Sequence, residues 1–173
     1  MNQFKIRAAT LDDAPVIAYV QYHGWQQTYR GIISDSYLAE MSLEKGVERW
    51  NRNLQSPLGF ISVITDKEKV IGFIGGGKNR SATLKCEGEI YALYLLKEYH
   101  GKQLGTKFFV YGIEQLKISG YQSFCVFVLK DNPTINYYKK FYPDLEICER
   151  IKIGETEYDE VGLGWSDINK FPS

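Results

Sequence analysis

The alternation of hydrophobic and polar residues predicts a chain in which strands and helices follow one another. A strand pattern over Phe4–Ala8 precedes apolar residues at helical spacing up to about Tyr29. A second helical pattern runs from Tyr37 to Leu54. Two β-rich runs then follow at 60–65 and 70–74, joined by a charged hairpin connection and ended by three glycines that predict a turn.

The second half of the chain predicts a strand, a helix, a buried strand, a short helix and two final strands. These elements cover residues 89–96, 103–119, 123–129, 131–142, 145–153 and 158–165. We find no internal repeat or linker, so one domain is expected over residues 1–173. The element order predicts an α/β fold, with a central mixed sheet of about seven strands flanked on both faces by about four helices.

Composition limits the classes of function. The 173 residues are 44% hydrophobic, enough for a sizeable core, and 21 basic residues balance 21 acidic ones. A neutral chain without a long run of one charge disfavours a nucleic-acid partner. No stretch approaches the ~18 uncharged apolar residues of a membrane span, and no signal-peptide core opens the chain, so a cytoplasmic protein without a membrane partner is expected.

Neither cysteine nor histidine spacing indicates a metal site. Cys86, Cys125 and Cys148 form no C-x-x-C pair and are expected to be buried, reduced thiols. His23 and His100 are not spaced with other ligand types, so no metal is predicted.

Two glycine-containing segments could bind phosphate. The first, 72–79, nearly matches a phosphate-binding loop but ends in Asn79 where a hydroxyl is needed, so we interpret it as a turn between strands. The second runs from the strand at Leu93 through a glycine loop into the helix that contains Thr106. The unpaired N–H groups and positive dipole end of that helix suit a pyrophosphate, although the segment could equally be an ordinary strand-to-helix turn.

Residues 99–106 resemble the R/Q-x-x-G-x-G/A signature of the GNAT superfamily of acetyl-CoA-dependent N-acetyltransferases. Gly105 fits the signature, whereas His100 replaces the family's Arg or Gln and Gln103 replaces its Gly. A side chain at 103 is compatible with phosphate binding by backbone amides if its φ is negative. A second match, in the expected order, is 131–140, which resembles N-P-x-x-x-[FY]-Y-x-[KR].

This resemblance implies that acetyl-CoA is the cosubstrate and lies in a gap where two strands splay apart. Its carbonyl would be bonded near Leu93–Leu95 and its pyrophosphate held by 101–106. The implied cofactor-binding residues are Leu93, Tyr94, Leu95, His100, Gly101, Lys102, Gln103, Leu104, Gly105, Thr106 and Asn132.

The resemblance also implies an acid and a base for direct attack by an amine. Tyr138 takes the place of the family tyrosine that protonates the departing sulfur, although its helical position also fits a core residue. Glu89 takes the place of a glutamate that accepts a proton through water, although it could be a solvated strand end, with Glu87 as a rival.

The acceptor side resembles the family segment W-x-x-x-Y-x-G at Trp25, Tyr29 and Gly31. Trp25, Tyr29 and Tyr91 are therefore expected to contact the acceptor, while packing aromatics are an equal interpretation of the first two. The acceptor would be a primary amine of a small molecule or peptide. Paired subunits are common in the family, so a homodimer stays open.

A different class of function is also compatible with the sequence. The departures at His100 and Gln103 allow a catalytically silent GNAT-like domain that serves as a ligand-binding or interaction module.

Overall fold

A seven-stranded mixed sheet forms the centre of the computed structural model, which describes residues 4–56 and 59–171. Its strands are β1 (Phe4–Ala8), β2 (Gly59–Asp66), β3 (Lys69–Lys78), β4 (Gly88–Leu95), β5 (Phe124–Leu129), β6 (Leu145–Ile153) and β7 (Thr156–Trp165). Its helices are α1 (Ala14–Thr28), α2 (Asp35–Glu40), α3 (Leu43–Gln55), α4 (Leu104–Ile118) and α5 (Ile135–Lys139). The spatial order is β1-β2-β3-β4-β5-β7-β6, and only β4 and β5 are parallel. The predicted α/β fold with a mixed sheet is confirmed.

The helix predicted from Tyr37 to Leu54 is two helices, which makes five in the described chain instead of about four. The backbone is extended at Met41 (ψ 133°), and the Ser42 hydroxyl accepts a hydrogen bond from the N–H of Lys45 at 3.4 Å to cap α3. A serine that caps a helix competes with continuation of the preceding one, and apolar spacing alone does not reveal this.

The predicted turn at the glycine-rich segment is wrong, because β3 continues through all three glycines to Lys78. A Cβ atom at Gly72 would lie 2.5 Å from the carbonyl oxygen of Tyr94, and one at Gly76 would lie 2.7 Å from that of Glu89. The glycines therefore allow close approach of β3 to β4, which is the role of glycine inside a strand.

Helices cover the two faces of the sheet with separate apolar layers. On one face α1 and α3 pack around Phe73. On the other face α4 packs through Phe109 against Phe124 of β5. Along β5, Cys125 and Phe127 face the α1 side. Cys148 is exposed on β6, so the expected burial is wrong for that thiol. Among the described residues, none of the helices has the length and apolar character needed to cross a membrane.

Strands β4 and β5 share only three residue pairs before they separate. The pairs are Gly88 with Phe124, Glu89 with Cys125 and Ile90 with Val126. On the other edge of β4, Gly75 pairs with Ala92 and Gly76 with Ile90, so Tyr91 is the extra residue of a bulge. Beyond Ile90, the β5-facing peptide groups of β4 have no strand partner in the described chain. The gap that results contains the site.

Candidate active site in the cleft between β4 and β5

The gap between β4 and β5 opens into a cavity of about 540 Å³. The end of α1, the open edge of β4, the loop before α4, β5 and the α5 segment line it. The predicted site residues in its wall are Tyr29, Tyr91, Leu93, Tyr94, Leu95, His100, Gly101, Gln103, Gly105, Thr106, Asn132 and Tyr138.

Four predicted site residues lie outside that wall. Leu104 is 4% exposed and belongs to the core under α4, because the first turn of the helix points it inward. The Lys102 ammonium lies 4.9 Å from the centre of the Tyr99 ring. Trp25 donates a hydrogen bond to the Tyr94 hydroxyl, and Glu89 forms an ion pair with Arg80.

The loop before α4 presents free backbone donors to the cavity. Within the described part of the chain, the N–H groups of 101–106 donate no hydrogen bond, as expected for a helix start without a capping side chain. The His100 imidazole Nε2 lies 2.9 Å from the carbonyl oxygen of Leu95 and ties the loop to the end of β4. Converging N–H groups at a helix start are suited to an anion.

Gln103 does not meet the condition set for it. Its φ is 59°, in the left-handed region, whereas a side chain at 103 was expected to be compatible with phosphate binding only at a negative φ. A non-glycine residue in this region is disfavoured by about 1–2 kcal/mol. The chain therefore keeps the backbone shape that a glycine would give, with an exposed glutamine side chain added to it.

Gln103→Gly is expected to raise the melting temperature by about 1–4 °C. Relief of the left-handed strain exceeds the extra chain entropy of glycine by about 0.5–1 kcal/mol. Differential scanning calorimetry measures the change. Gly101, with φ 76° and open space around the position that a Cβ atom would take, provides the reverse control, since Gly101→Ala should lower the melting temperature. A lower melting temperature for Gln103→Gly would contradict the strain.

Tyr138 places a phenol at the inner wall of the cavity. The side chain is 8% exposed and packs on Phe109, with ring centres 5.2 Å apart. Its hydroxyl has no hydrogen-bond partner among the described residues. Every side-chain oxygen of those residues that is shielded from solvent does have a partner, so the Tyr138 hydroxyl is not shielded. The hydroxyl therefore reaches the cavity. Burial raises the pKa of Tyr138 and keeps the phenol protonated.

Asn132 faces the cavity, but the predicted helix-capping role is wrong, because α5 begins later and its N-cap is Thr134. The Asn132 Oδ1 accepts a hydrogen bond from the N–H of Thr134 at 2.9 Å, and Asn132 is 5% exposed. Burial raises the pKa of Tyr29, and the neighbouring Asn132 and Tyr94 side chains oppose that rise. Asn132 of the α5 segment and Tyr29 at the end of α1 both line the cavity.

An aromatic group closes the α1 side of the cavity. Trp25 packs on Tyr29 with ring centres 4.7 Å apart and the ring planes inclined at 56°, and its indole Nε1 donates to the Tyr94 hydroxyl at 2.9 Å. A Cβ atom at Gly24 would lie 2.7 Å from the Tyr94 ring, so the glycine lets α1 pack on that ring. The packing interpretation is confirmed for Trp25 and Tyr29, and their contact with an acceptor stays a prediction.

Glu89 is a buried, paired carboxylate. It is 2% exposed and accepts hydrogen bonds from the backbone N–H of Arg80 at 2.9 Å, from Nε at 3.2 Å and from Nη2 at 2.5 Å. The Arg80 guanidinium also lies 4.2 Å from the centre of the Tyr91 ring. Burial, followed by the charge of Glu89, raises the pKa of Tyr91 to about 12. The solvated interpretation of Glu89 is therefore wrong.

Sequence reasoning missed three residues of this region. Phe127 and Tyr137 line the cavity, and Arg80 holds Glu89. Alternation along the buried strand could have placed Phe127 on the α1 side of the sheet. No sequence signal marks Arg80. Within 4–56 and 59–171, no group of three or more His, Cys, Asp or Glu side chains has the arrangement of a metal site.

Comparison with known proteins identifies the family. The model of the acetyltransferase (GNAT) family matches residues 19–141. The chain is 33% identical over 165 residues to the uncharacterized N-acetyltransferase YuaI of Bacillus subtilis (strain 168), covering 95% of this chain and 94% of YuaI.

Two solved structures share the fold. PaiA N-acetyltransferase of Thermoplasma acidophilum, in complex with coenzyme A, has a TM-score of 0.65 at 21% identity and covers 91% of this chain and 97% of its own. YncA of Salmonella typhimurium, with its cofactor acetyl-CoA, has a TM-score of 0.70 at 16% identity and covers 99% and 98%. The family match over most of the chain, together with the YuaI relationship, shows that this chain is an acyltransferase that belongs to the GNAT acetyltransferase family.

Proposed function

We propose that the chain transfers the acetyl group of acetyl-CoA to a primary amine of a small molecule or peptide by direct attack, without an acyl-enzyme. The observation that carries this proposal is the cleft itself. One end presents the free N–H groups of 101–106, and the inner wall presents the Tyr138 hydroxyl. Phosphate binding and protonation of a leaving thiolate need these two features at separate points of one cavity.

The residues of the cleft fit acetyl-CoA, which supplies the activated acetyl thioester. The unpaired edge of β4 from Tyr91 to Leu95 offers backbone groups to an extended amide-containing chain. Gly101 and Gly105 leave the start of α4 uncovered for a pyrophosphate, with nothing closer than 3.8 Å to an added Cβ at either position. Two solved relatives of this fold contain coenzyme A or acetyl-CoA, which supports the same placement here.

Tyr138 is proposed to protonate the sulfur as the bond to the acetyl carbon breaks. Burial raises the pKa of Tyr138, so the phenol stays protonated throughout the pH range in which an amine acceptor is used. The backbone N–H groups of the β4 edge are proposed to stabilise the negative charge that develops on the acetyl oxygen.

A covalent acetyl-cysteine step is disfavoured by the state of the buried thiol. Cys125 is 0% exposed, and its hydrogen bond with the Cys86 side chain, followed by burial, raises its pKa strongly. A thiol that does not ionise near neutral pH is a poor nucleophile. Direct attack by the acceptor is therefore the proposed route.

Titration calorimetry with acetyl-CoA, followed by a screen for thiol release, tests this function. We expect micromolar binding, and turnover with at least one of spermidine, glucosamine, kanamycin, lysine and a peptide with a free amino terminus. Absence of binding at millimolar acetyl-CoA would overturn the proposal and favour the silent module. Binding without turnover of any of these amines would also contradict it, because the proposed acceptor is a primary amine.

The base predicted from the sequence, Glu89, remains a prediction. Glu89 is 2% exposed, its carboxylate accepts three hydrogen bonds from Arg80, and it is not among the residues that line the cavity. If Glu89 accepts the proton through water, Glu89→Gln should displace the pH profile of turnover to the alkaline side.

A further inference from the structure

Glu160 is a carboxylate on the α1 side of the sheet, and the sequence analysis did not single it out. On β7 it pairs in register with Leu129 of β5 and with Glu149 of β6. Tyr158, two residues earlier on the same face, accepts a hydrogen bond from the N–H of Ser34 at 2.9 Å. Glu160 therefore points toward the segment that follows α1.

The position of Glu160 is next to the acceptor end of the cavity. Gly162, the next β7 residue on that face, pairs with Phe127, and both Phe127 and Tyr29 line the cavity. The charge of Glu160 contributes to the raised pKa of Tyr29, whose main cause is burial. Glu160 is not itself part of the cavity wall, but it lies next to these two residues of it.

Glu160 differs from Glu89 in having its oxygens free. It is half-buried, and its carboxylate accepts no hydrogen bond and forms no ion pair with any residue of the described ranges. Glu89 accepts three hydrogen bonds from Arg80. A proton acceptor needs an available lone pair, and Glu160 has more of its lone pairs available than Glu89 has.

The surroundings of Glu160 favour proton uptake near neutral pH. Burial raises its pKa to about 7, with further contributions from Glu149 and Glu89, while Arg80 lowers it. Glu149 directly opposite accepts a hydrogen bond from the Thr83 hydroxyl at 2.6 Å, whereas Glu160 has no such donor among the described residues.

Given the acetyl transfer proposed for this chain, we propose that Glu160 is the base that takes a proton from the ammonium group of the acceptor. The neutral amine nitrogen then forms the bond to the acetyl carbon, and the carbon–sulfur bond breaks. Tyr138 gives its proton to the sulfur and regains one from the nitrogen. The proton on Glu160 passes to solvent, so that one ammonium and one thioester give one amide, one thiol and one proton.

The test is the pH dependence of kcat/KM between about pH 5 and 9, with the amine that turns over fastest among the five named above. A base of this kind is ionised above its pKa, so wild-type kcat/KM should fall below about pH 7. Glu160→Gln should lower kcat/KM at pH 8 by about 10²-fold or more and displace that acid limb to the alkaline side, toward the pKa of the amine itself. Glu157→Gln is the matched control on the same strand, because its side chain is 64% exposed and should leave the profile unchanged.

Glu89→Gln separates the two candidate bases. If Glu160 is the base, removing the Glu89 charge and releasing Arg80 both lower the pKa of Glu160, so the acid limb moves to lower pH. A limb displaced to the alkaline side in Glu89→Gln and unchanged in Glu160→Gln would overturn the proposal and restore Glu89 as the base. An unchanged profile in Glu160→Gln would likewise overturn it.

Calorimetry keeps this inference distinct from the proposed function. Glu160→Gln should bind acetyl-CoA with the Kd of the wild type, since the residue lies outside the phosphate-binding loop. Wild-type protein that neither binds acetyl-CoA nor turns over any of the five amines would refute acetyl transfer itself. Wild-type turnover with an acid limb that Glu160→Gln leaves unchanged would refute only the assignment of the base.

Discussion

Tyr138→Phe is expected to lower kcat by about 10²-fold or more, while the Kd for acetyl-CoA stays within about twofold. The substitution removes only the hydroxyl that reaches the cavity, and the ring keeps its contact with Phe109 at 5.2 Å between centres. Loss of the proton donor affects departure of the thiolate and leaves binding unaffected. Steady-state kinetics by thiol release and calorimetry with acetyl-CoA measure the two quantities.

Tyr137→Phe is the matched control for this experiment. Tyr137 also lines the cavity, but its hydroxyl lies 3.4 Å from the Thr106 Oγ1 and is already engaged. We expect kcat within a few-fold of the wild type. Equal losses in the two variants, or unchanged turnover in Tyr138→Phe, would remove Tyr138 from the mechanism.

Phe109→Ala is expected to destabilise the fold by about 3–5 kcal/mol. Phe109 is 0% exposed and its ring contacts six other aromatic rings. These belong to Phe124, Tyr137, Tyr138, Phe141, Trp165 and Phe171. The rings around it are held by separate elements, so the cavity left by truncation cannot close easily. Chemical denaturation measures the loss, and the melting temperature should fall by about 6–20 °C.

Ile118→Ala provides the comparison at the end of the same helix. Ile118 is 78% exposed, so its truncation should change stability by less than about 0.5 kcal/mol. A loss below about 1 kcal/mol in Phe109→Ala would show that the aromatic group under α4 relaxes around the gap. The support of the Tyr138 ring would then have to come from another part of the core.

The fold was predictable where the local signals agreed. Phe4–Ala8 and Leu145–Ile153 have the bounds expected from alternation, and α4 ends within one residue of the prediction. Prediction failed where a long-range contact overrode a local preference. The glycines that predicted a turn lie inside β3, and at Gly76 the backbone of β4 passes too close for a side chain, a fact that no local pattern contains.

The site was predictable to the extent that it lies on consecutive residues. The loop at 101–106 and the segment with Asn132 and Tyr138 carry compact motifs, and the cavity contains most of both. Arg80 and Glu160 were not predicted, because only the pairing of distant strands brings each to its neighbours. The pairing of β3 with β4 brings Arg80, just after β3, to Glu89, and the pairing of β7 with β5 and β6 brings Glu160 to Leu129 and Glu149. Their chemistry depends on register, which the sequence pattern does not specify.

The three residue pairs between β4 and β5 are the only strand pairing that joins the two parts of the sheet in the described chain. From Ile90 to Leu95 the open edge of β4 extends about 16 Å, at the usual rise of a strand. A difference of about 5° in the angle between β4 and β5 would therefore correspond to about 1.4 Å at the Leu95 end. The width of the cleft at the loop before α4 is thus set by packing at the distant junction, where an added Cβ at Gly88 would lie 3.3 Å from Leu116.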